Sequence, residues 1–263
     1  MSRGDWDPDQ YQRFARERAA PFWDLISLVE ADGIDRLVDL GCGDGRLTAA
    51  AVERLAPIEA VGIDSSSTML EKAVSVQRAG LSFVGGDIAS WTSRHDMDLV
   101  FANASLQWVT DHESVLGQWA AALAPGGQLA VQVPANGDHP SHIVADEVGG
   151  AEPFCSAMNG NPPPNPTSVN VLAPEVYATL LREMGFIKQH VRLQVYPHVL
   201  ASSSEVVEWV RGTNLTRFFR RLPGEMHEPF VDAYREALLG RIGDQSPYFY
   251  AFKRILVWGR LEG

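Results

Sequence analysis

A glycine loop flanked by carboxylates is the feature of this chain best suited to chemistry. The stretch VDLGCGDG, residues 38–45, places three glycines at alternating positions directly after a short apolar run that contains Asp39. Glycines after the first strand of a doubly wound sheet let the backbone approach a nucleotide closely. Asp64 ends the next apolar run, 19 residues after Gly45, where a carboxylate can accept both hydroxyls of an adenosine ribose. The pattern therefore predicts a site for an adenosine-containing ligand.

The loop's own residues separate two kinds of such ligand. A dinucleotide loop reads G-x-G-x-x-G and holds a diphosphate at a helix N-terminus. This loop instead reads Gly41-x-Gly43-x-Gly45 and carries two carboxylates, Asp39 and Asp44. Carboxylates disfavour a diphosphate and favour a ligand with a cationic end. S-adenosylmethionine (SAM), which carries an ammonium and a sulfonium, fits better than a nicotinamide dinucleotide.

A third carboxylate extends the same order. Asp87, in FVGGDI, ends the third apolar run, and Ile88 follows it. The carboxylate can accept from an adenine amino group, while the isoleucine offers its amide and an apolar contact. Acidic residues at three successive strand ends together favour SAM.

The elements that must position these residues alternate along the chain. Five short apolar strands separated by helices and turns read RLVDL, AVGID, LSFVG, DLVFANA and QLAVQVP. Parallel neighbours need long crossovers, so this alternation predicts a doubly wound sheet. Two later strands, IKQHVRLQVYPHVL and YFYAFKRILVWGR, flank a helical section. The predicted fold class is α/β, with a Rossmann-like doubly wound seven-stranded sheet, the last strand antiparallel, and helical lid insertions.

Composition shifts predict how the chain is divided. Residues 135–166 are rich in Pro, Gly and Asn, and we expect a flexible insertion there rather than core. The helix PEVYATLLREMGF follows that insertion. The expected segments are an N-terminal lid helix (1–30), a ligand-binding core (31–134), an insertion on the acceptor side (135–172), a core helix and strand (173–200), a helical lid (201–246) and a final core strand (247–263).

Charge and composition exclude several function classes. The chain of 263 residues carries a formal net charge of −11, which opposes attraction to nucleic acid or anionic membranes. Its two cysteines are too few for a disulfide framework or a cysteine-based metal cluster. The polar, acidic beginning does not read as a secretion signal. We expect a cytoplasmic protein with a small anionic acceptor, no metal, and neither a nucleic acid nor a membrane as partner.

Several stretches resemble a known family. VDLGCGDG, GIDSSSTML, GGDIASW, ANASLQWV and LAPGGQLAVQVP are similar to the successive motifs of class I SAM-dependent methyltransferases, in the family's order over residues 36–134. A narrower resemblance covers nearly the whole chain. WDPDQYQRFARERAAPFWDLI, FANASLQWVTDH, LAVQVP followed by HPSH, and EWVRGTNL are similar to the subfamily that methylates a carboxylate of trans-aconitate.

This resemblance implies a SAM site, with S-adenosylhomocysteine as product. The residues predicted to bind the cofactor are Arg18, Asp39, Gly41, Cys42, Gly43, Asp64, Ser65, Met69, Asp87, Ile88, Asn103 and Ser105. It also implies a lid and an acceptor site. The residues predicted to bind the acceptor are Trp108, His142, Tyr177, Arg211, Arg217 and Arg220.

The implied reaction needs alignment more than acid or base catalysis. A carboxylate acceptor is already ionised at neutral pH, so no catalytic residue is predicted beyond those that position the reactants. Arginine forks suit a polycarboxylate, and Arg211 is the leading candidate because it lies in EWVRGTNL.

Departures from the subfamily's pattern keep the acceptor open. The usual MPDN and PTH stretches read VPAN and PSH here, and Asn214-Leu215-Thr216-Arg217 replaces Gly-Leu-Arg-Pro. The first alternative is a methyltransferase for a small-molecule hydroxyl, which would need a base such as His139 or His142. A nucleotide-binding dehydrogenase is disfavoured by the glycine spacing, and a protein that only binds SAM is the least favoured.

Overall fold

The computed structural model describes residues 15–263, with side chains from residue 19 onward. The first fourteen residues of the predicted N-terminal lid helix (1–30) lie outside the described residues. The helices are α1 Ala15–Leu28, α2 Arg46–Leu55, α3 Ser67–Ala73, α4 His112–Ala121, α5 Pro140–Gly150, α6 Phe154–Ala157, α7 Pro166–Val169, α8 Pro174–Glu183, α9 Ser204–Arg211, α10 Thr216–Phe219 and α11 His227–Ile242.

A single mixed sheet organises the described chain. Its strands are β1 Arg36–Leu40, β2 Glu59–Asp64, β3 Leu81–Gly85, β4 Met97–Asn103, β5 Leu123–Pro134, β6 Phe186–Leu200 and β7 Tyr248–Leu261. The order across the sheet is β3-β2-β1-β4-β5-β7-β6. The first five strands pair in parallel, and β7 runs antiparallel to β5. The predicted Rossmann-like seven-stranded fold with an antiparallel last strand is confirmed.

The register of the parallel strands places the predicted ligand residues at one edge. Val38 pairs with Val61 and with Val100, so the carboxyl ends of β1, β2 and β4 lie side by side. Asp64 pairs with Gly85 at the end of β3. In a doubly wound sheet, this carboxyl edge is where ligands bind.

The chain divides into two compact units. One comprises Ala20–Pro134, Asn170–Gln194 and Arg254–Gly263; among the described residues, the other comprises Ala135–Val169 and Val195–Lys253 together with the start of α1. We call them the sheet unit and the helical unit. The core of the sheet unit packs α1 and α2 side chains such as Phe22, Leu25 and Leu55 against strand residues such as Phe101. Burial of these apolar side chains is the main stabilising contribution to that unit.

The expectation of a flexible insertion at residues 135–166 is wrong. The segment forms α5, which begins with Pro140 at a position where its missing N–H is not needed, and the short α6. Val144, Ala145 and Phe154 are buried in the core of the helical unit. The turn-forming residues at the two ends of the segment dominate its composition, so the apolar helix face between them was not recognised from the sequence.

The helix after β2 is short. Within SSTMLEKAVSVQRA, α3 ends at Ala73 and a single 3₁₀ turn, Val74–Val76, follows. The β-branched Val74 and Val76 lose side-chain freedom in a helix, which weakens its continuation. From residue 15 on, no helix is long and apolar enough to cross a membrane.

Candidate cofactor site

The glycine loop between β1 and α2 is fixed against the end of β2. The N–H groups of Gly41 and Cys42 donate to the carbonyl oxygen of Ile63 at 2.7 and 3.0 Å. Gly41 has a φ of 89°, a left-handed conformation that favours glycine. A Cβ on Gly41 would lie 2.2 Å from the Cβ of Ser105, whereas a Cβ on Gly43 would meet no atom within 4 Å. The loop is therefore packed on one side and open at Gly43.

Asp39 is a buried carboxylate with one unused oxygen. Its side chain is 3% exposed, and its Oδ2 accepts a hydrogen bond from Thr48 Oγ1 at 2.5 Å. Its Oδ1 is buried and meets no hydrogen-bond donor among the described residues. Burial raises the pKa of Asp39 to about 7, against a lowering by the hydrogen bond from Thr48 and with a smaller raising contribution from the charge of Asp64. A buried acceptor without a donor is costly unless a ligand supplies one.

Asp64 connects the glycine loop to the beginning of α3. Its Oδ2 accepts from the N–H of Gly43 at 2.8 Å, and its Oδ1 accepts from the N–H of Ser66 at 2.9 Å. Ser66 caps α3 by accepting from the N–H of Met69 at 3.3 Å. Ser65 is exposed and Met69 is half-buried on the same segment. Each carboxylate oxygen retains a lone pair for a further donor.

The turn after β3 carries the two residues predicted to contact the adenine. Asp87 is exposed, and its Oδ1 accepts from the N–H of Ala89 at 2.9 Å. The carbonyl oxygen of Ile88 accepts from Trp119 Nε1 at 3.0 Å. The tryptophan of α4 thus fixes this turn, and the Ile88 side chain stays half-buried.

The turn after β4 lies directly against the glycine loop. Ser105 is buried and its Oγ donates to the carbonyl oxygen of Leu40 at 2.5 Å. Asn103 Oδ1 is buried and, like Asp39 Oδ1, has no donor in the part of the chain that the structure describes. Trp108, at the end of a 3₁₀ turn, keeps 42% of its surface exposed. The structure thus brings together the predicted residues of the glycine loop and of this turn.

Cys42 contributes small size rather than reactivity. The side chain is buried within the loop, and burial raises the pKa of its thiol. The group therefore stays protonated, which excludes it as a nucleophile. The side chain of Arg18 is outside the described side chains, so its predicted contact with the cofactor stays a prediction.

Thr48 and His112 were not predicted from the sequence. Thr48 lies in α2 and donates to Asp39, and its position nine residues after that carboxylate was the one feature of the sequence that could have indicated this contact. His112 is buried at the start of α4, where it contacts Leu106 and the predicted acceptor residue Tyr177. A histidine directly after the N-cap Asp111 gave no sign that its ring would point inward.

His142 lies in a buried polar cluster of the helical unit. Its Nδ1 is 3.1 Å from Ser141 Oγ, which is also 2.9 Å from His139 Nδ1 and 3.2 Å from the hydroxyl of Tyr250. Burial lowers the pKa of His139 to about 4, with a further lowering by Lys253 that Asp138 opposes. The cluster is therefore neutral at His139 near physiological pH.

The three predicted lid arginines have different surroundings in the helical unit. Arg217 is buried, and its guanidinium donates to Asp146, to the carbonyl oxygen of Pro163 and to Asn214 Oδ1. Arg211 is about one-third exposed and pairs with Glu228, itself mostly exposed. Arg220 is exposed. Arg217 thus stabilises the helical unit, whereas another carboxylate could replace Glu228 as the partner of Arg211.

Comparison with known proteins identifies the family. A family model described as a methyltransferase domain matches residues 37–127. The trans-aconitate 2-methyltransferase of Deinococcus radiodurans is 39% identical over 259 residues, covering 95% of this chain and 96% of that protein. The enzyme of the same name from Methylobacterium radiotolerans is 36% identical, covering 97% of this chain and 98% of that protein. The chain belongs to the trans-aconitate 2-methyltransferase family.

Solved structures agree on the fold at lower identity. The YcgJ protein of Bacillus subtilis has a TM-score of 0.59 at 16% identity, covering 92% of this chain and 98% of that one. Phosphoethanolamine N-methyltransferase 2 of Haemonchus contortus, solved with S-adenosylhomocysteine, has a TM-score of 0.54 at 15% identity. It covers 91% of this chain and 52% of that one. These likenesses support the sheet topology, while the curated relatives carry the family assignment.

Proposed function

We propose that this protein transfers a methyl group from SAM to a carboxylate of trans-aconitate, forming a monomethyl ester. The observation that carries the proposal is the similarity to trans-aconitate 2-methyltransferases, which is 39% identity over 95% of the chain. The match extends over both units and is not confined to the methyltransferase domain at residues 37–127. A relative that shared only the cofactor domain would support methyl transfer without supporting the acceptor.

The unused polar atoms of the sheet unit fit SAM. Asp39 Oδ1 and Asn103 Oδ1 are buried acceptors that lack donors among the described residues, and the ammonium of SAM can supply the N–H donors that such atoms need. Gly43 leaves open space at the same edge of the sheet. Asp64 and Asp87 would accept from the ribose and the adenine. The proposed cofactor residues are the twelve predicted from the sequence, of which Arg18 is the first and Ser105 the last.

The reaction then depends on how this chain places and shields the acceptor. SAM supplies a methyl group on a sulfonium, and charge is neutralised as that methyl leaves. A carboxylate acceptor titrates near 4 and arrives ionised, so the protein need not remove a proton. Its residues contribute by aligning the acceptor and excluding water. Trp108 is the proposed apolar floor of the transfer site.

An anionic acceptor needs local cations because the chain carries −11 overall. Arg211 is the strongest proposed partner, since an acceptor carboxylate can replace the exposed Glu228 and pair bidentately with the guanidinium. Arg220 and His142 are the other proposed contacts. Arg217 already uses its donors within the helical unit, and we assign it a supporting role.

A screen of acceptors tests the proposal directly. The protein is incubated with methyl-labelled SAM and a panel of small acids and phenols, and the label transferred to each is counted. Trans-aconitate is expected to take label fastest, and Asp64→Ala is expected to abolish transfer by weakening SAM binding. Faster transfer to a phenol or another hydroxyl compound than to any polycarboxylate would contradict the proposed acceptor.

A further inference from the structure

His112 uses both nitrogens of a buried ring to bridge two segments of the sheet unit. Its Nε2 lies 2.9 Å from the carbonyl oxygen of Leu106, and its Nδ1 lies 2.7 Å from the hydroxyl of Tyr177. The two rings also stack, with centroids 5.9 Å apart. His112 is 2% exposed and Tyr177 is 1% exposed. Burial lowers the pKa of His112, so the ring is neutral near physiological pH.

The chemistry of the partners fixes the positions of the protons. The carbonyl oxygen of Leu106 can only accept, so Nε2 carries the hydrogen and Nδ1 of the neutral ring is an acceptor. The hydroxyl of Tyr177 must then donate to Nδ1. The N–H of Leu172 in turn donates to the Tyr177 oxygen at 3.2 Å. A directed chain of hydrogen bonds thus runs from Leu172 to the turn at Leu106.

This chain ends on the turn that presents Trp108. Asn170 Nδ2 donates to the carbonyl oxygen of Gln107 at 2.9 Å, so two consecutive carbonyls of the turn accept hydrogen bonds, that of Leu106 from His112 and that of Gln107 from the segment before Tyr177. The preceding residues have separate restraints. Ala104 N–H donates to the carbonyl oxygen of Gln132 at 2.9 Å, and Ser105 is bonded to Leu40. His112 therefore acts on the turn Leu106–Trp108 more than on the residues that face the glycine loop.

We propose that His112 and Tyr177 are positioning residues, which hold the turn Leu106–Trp108 so that Trp108 is aligned for methyl transfer. The inference rests on the proposed function and replaces the predicted contact of Tyr177 with the acceptor. Misplacement of an aligning group by about 1 Å can lower a rate by up to about 10²-fold, so a loosened turn should lower kcat. SAM affinity should change little, since Asn103 is paired with Gln132 in the sheet and Ser105 is bonded to Leu40.

Three variants test the kinetic consequence. Tyr177→Phe removes the donor to His112, and His112→Leu removes both bonds, whereas His112→Gln can still donate an N–H toward Leu106. We expect kcat to fall roughly tenfold in Tyr177→Phe and His112→Leu and to recover partly in His112→Gln, with the SAM dissociation constant within about twofold of the unaltered protein. An unchanged kcat in folded Tyr177→Phe would overturn the proposal, as would an increase in acceptor KM at constant kcat.

A spectroscopic measurement separates this proposal from the proposed function. The protein is labelled with fluorotryptophan, and the Trp108 resonance is assigned with Trp108→Phe. Tyr177→Phe is expected to shift or broaden that resonance whether or not trans-aconitate is methylated. Tyr234→Phe is the matched control, because it also removes a buried tyrosine hydroxyl that donates a hydrogen bond, here to the carbonyl oxygen of Ser141 at 2.8 Å in the helical unit. An unchanged Trp108 resonance in Tyr177→Phe, or an equal change in the control, would contradict the positioning role.

Discussion

Gly41 lies so close to Ser105 that no side chain fits between the glycine loop and the turn after β4. A Cβ on Gly41 would lie 2.2 Å from Ser105 Cβ and 2.8 Å from its Oγ. The serine cannot simply rotate away, because its Oγ is bonded to the carbonyl oxygen of Leu40. The two segments that carry proposed cofactor residues can therefore pack this closely only because residue 41 has no side chain.

Gly41→Ala is expected to weaken SAM binding more than tenfold, because it displaces Ser105 and the neighbouring Asn103. Gly185→Ala is the matched control: its φ of 90° nearly equals the 89° of Gly41, but a Cβ there meets nothing within 4 Å. The control should lose about 1–2 kcal/mol of stability from backbone strain and keep its SAM affinity. Calorimetric titration with SAM checks both. Equal SAM affinities in the two variants would contradict the site.

The raised pKa of Asp39 predicts that SAM affinity depends on pH. Its pKa is raised to about 7 by burial, so below that pH the free protein carries a protonated acid where a cationic ligand needs a carboxylate. Binding of SAM must then release a proton, and affinity is expected to fall by up to about tenfold per pH unit below 7. Titrations between pH 5.5 and 8, a range chosen to span roughly one unit or more on each side of that pKa, measure this slope.

Asp39→Asn is the control for that slope. The variant should bind SAM more weakly at pH 8, a value about one unit above the raised pKa, and show no pH dependence from this site. The raised pKa also means that the folded protein binds the proton more tightly than the unfolded chain does. The contribution of Asp39 to stability is therefore present below the unfolded pKa near 4 and is lost as the pH rises through about 7. A SAM affinity that is flat with pH in the unaltered protein would contradict the role of Asp39.

Arg217 and Arg211 should respond differently to truncation. Arg217→Ala leaves the buried Asn214 Oδ1 and the Pro163 carbonyl without a donor, and is expected to cost about 2–3 kcal/mol of stability. Arg211→Ala removes an exposed ion pair with Glu228, and is expected to cost less than about 1 kcal/mol. Denaturant unfolding measures both values. A loss for Arg211→Ala as large as that for Arg217→Ala would show that its ion pair is structural.

Acceptor kinetics complete the test of Arg211. Arg211→Ala should lower kcat/KM for trans-aconitate by on the order of 10²-fold through a higher KM, with SAM affinity unchanged. Arg211→Lys should recover only part of this loss, because a point charge does not reproduce the planar fork. If Arg211→Ala leaves the acceptor KM unaltered, the acceptor is held elsewhere.

The sequence predicted most of the sheet unit because its signals are local. Apolar runs, a glycine loop and acidic run ends each report on residues close together in the chain, and Asp39, Asp64 and Asp87 all follow the predicted strand order. The resemblance to a family then indicated SAM as the ligand of such a site. Fold and cofactor class were therefore predictable without the structure.

Long-range side-chain contacts were not predictable in the same way. Tyr177 and His112 are 65 residues apart, and Arg217 and Asp146 are 71 residues apart, so nothing local announces either pair. Tyr177 and Arg217 were predicted to bind the acceptor because their side chains could do so, but in the structure both have partners within their own units. Buried polar pairs depend on which elements meet, and a linear pattern does not contain that information.

The pH dependence of turnover distinguishes the two kinds of acceptor. With saturating trans-aconitate and SAM, kcat is expected to stay nearly flat between about pH 6 and 9, because the acceptor carboxylate is ionised throughout. Initial rates across this range measure the profile. A rise of about tenfold per pH unit that disappears in His142→Ala would instead indicate a hydroxyl acceptor with a histidine base.

The alkali lability of the methylated product decides whether this protein forms a carboxyl ester of trans-aconitate. The protein is supplied with trans-aconitate and SAM labelled in the methyl group, and the product is isolated, weighed by mass spectrometry and treated with mild alkali. A carboxyl ester is one methyl group heavier than trans-aconitate and releases all of its label as volatile methanol. Methyl transfer to a carboxylate of trans-aconitate requires a single, alkali-labile methyl group. An alkali-stable methyl group, or no transfer to trans-aconitate under conditions where SAM is bound, would rule out the proposed function.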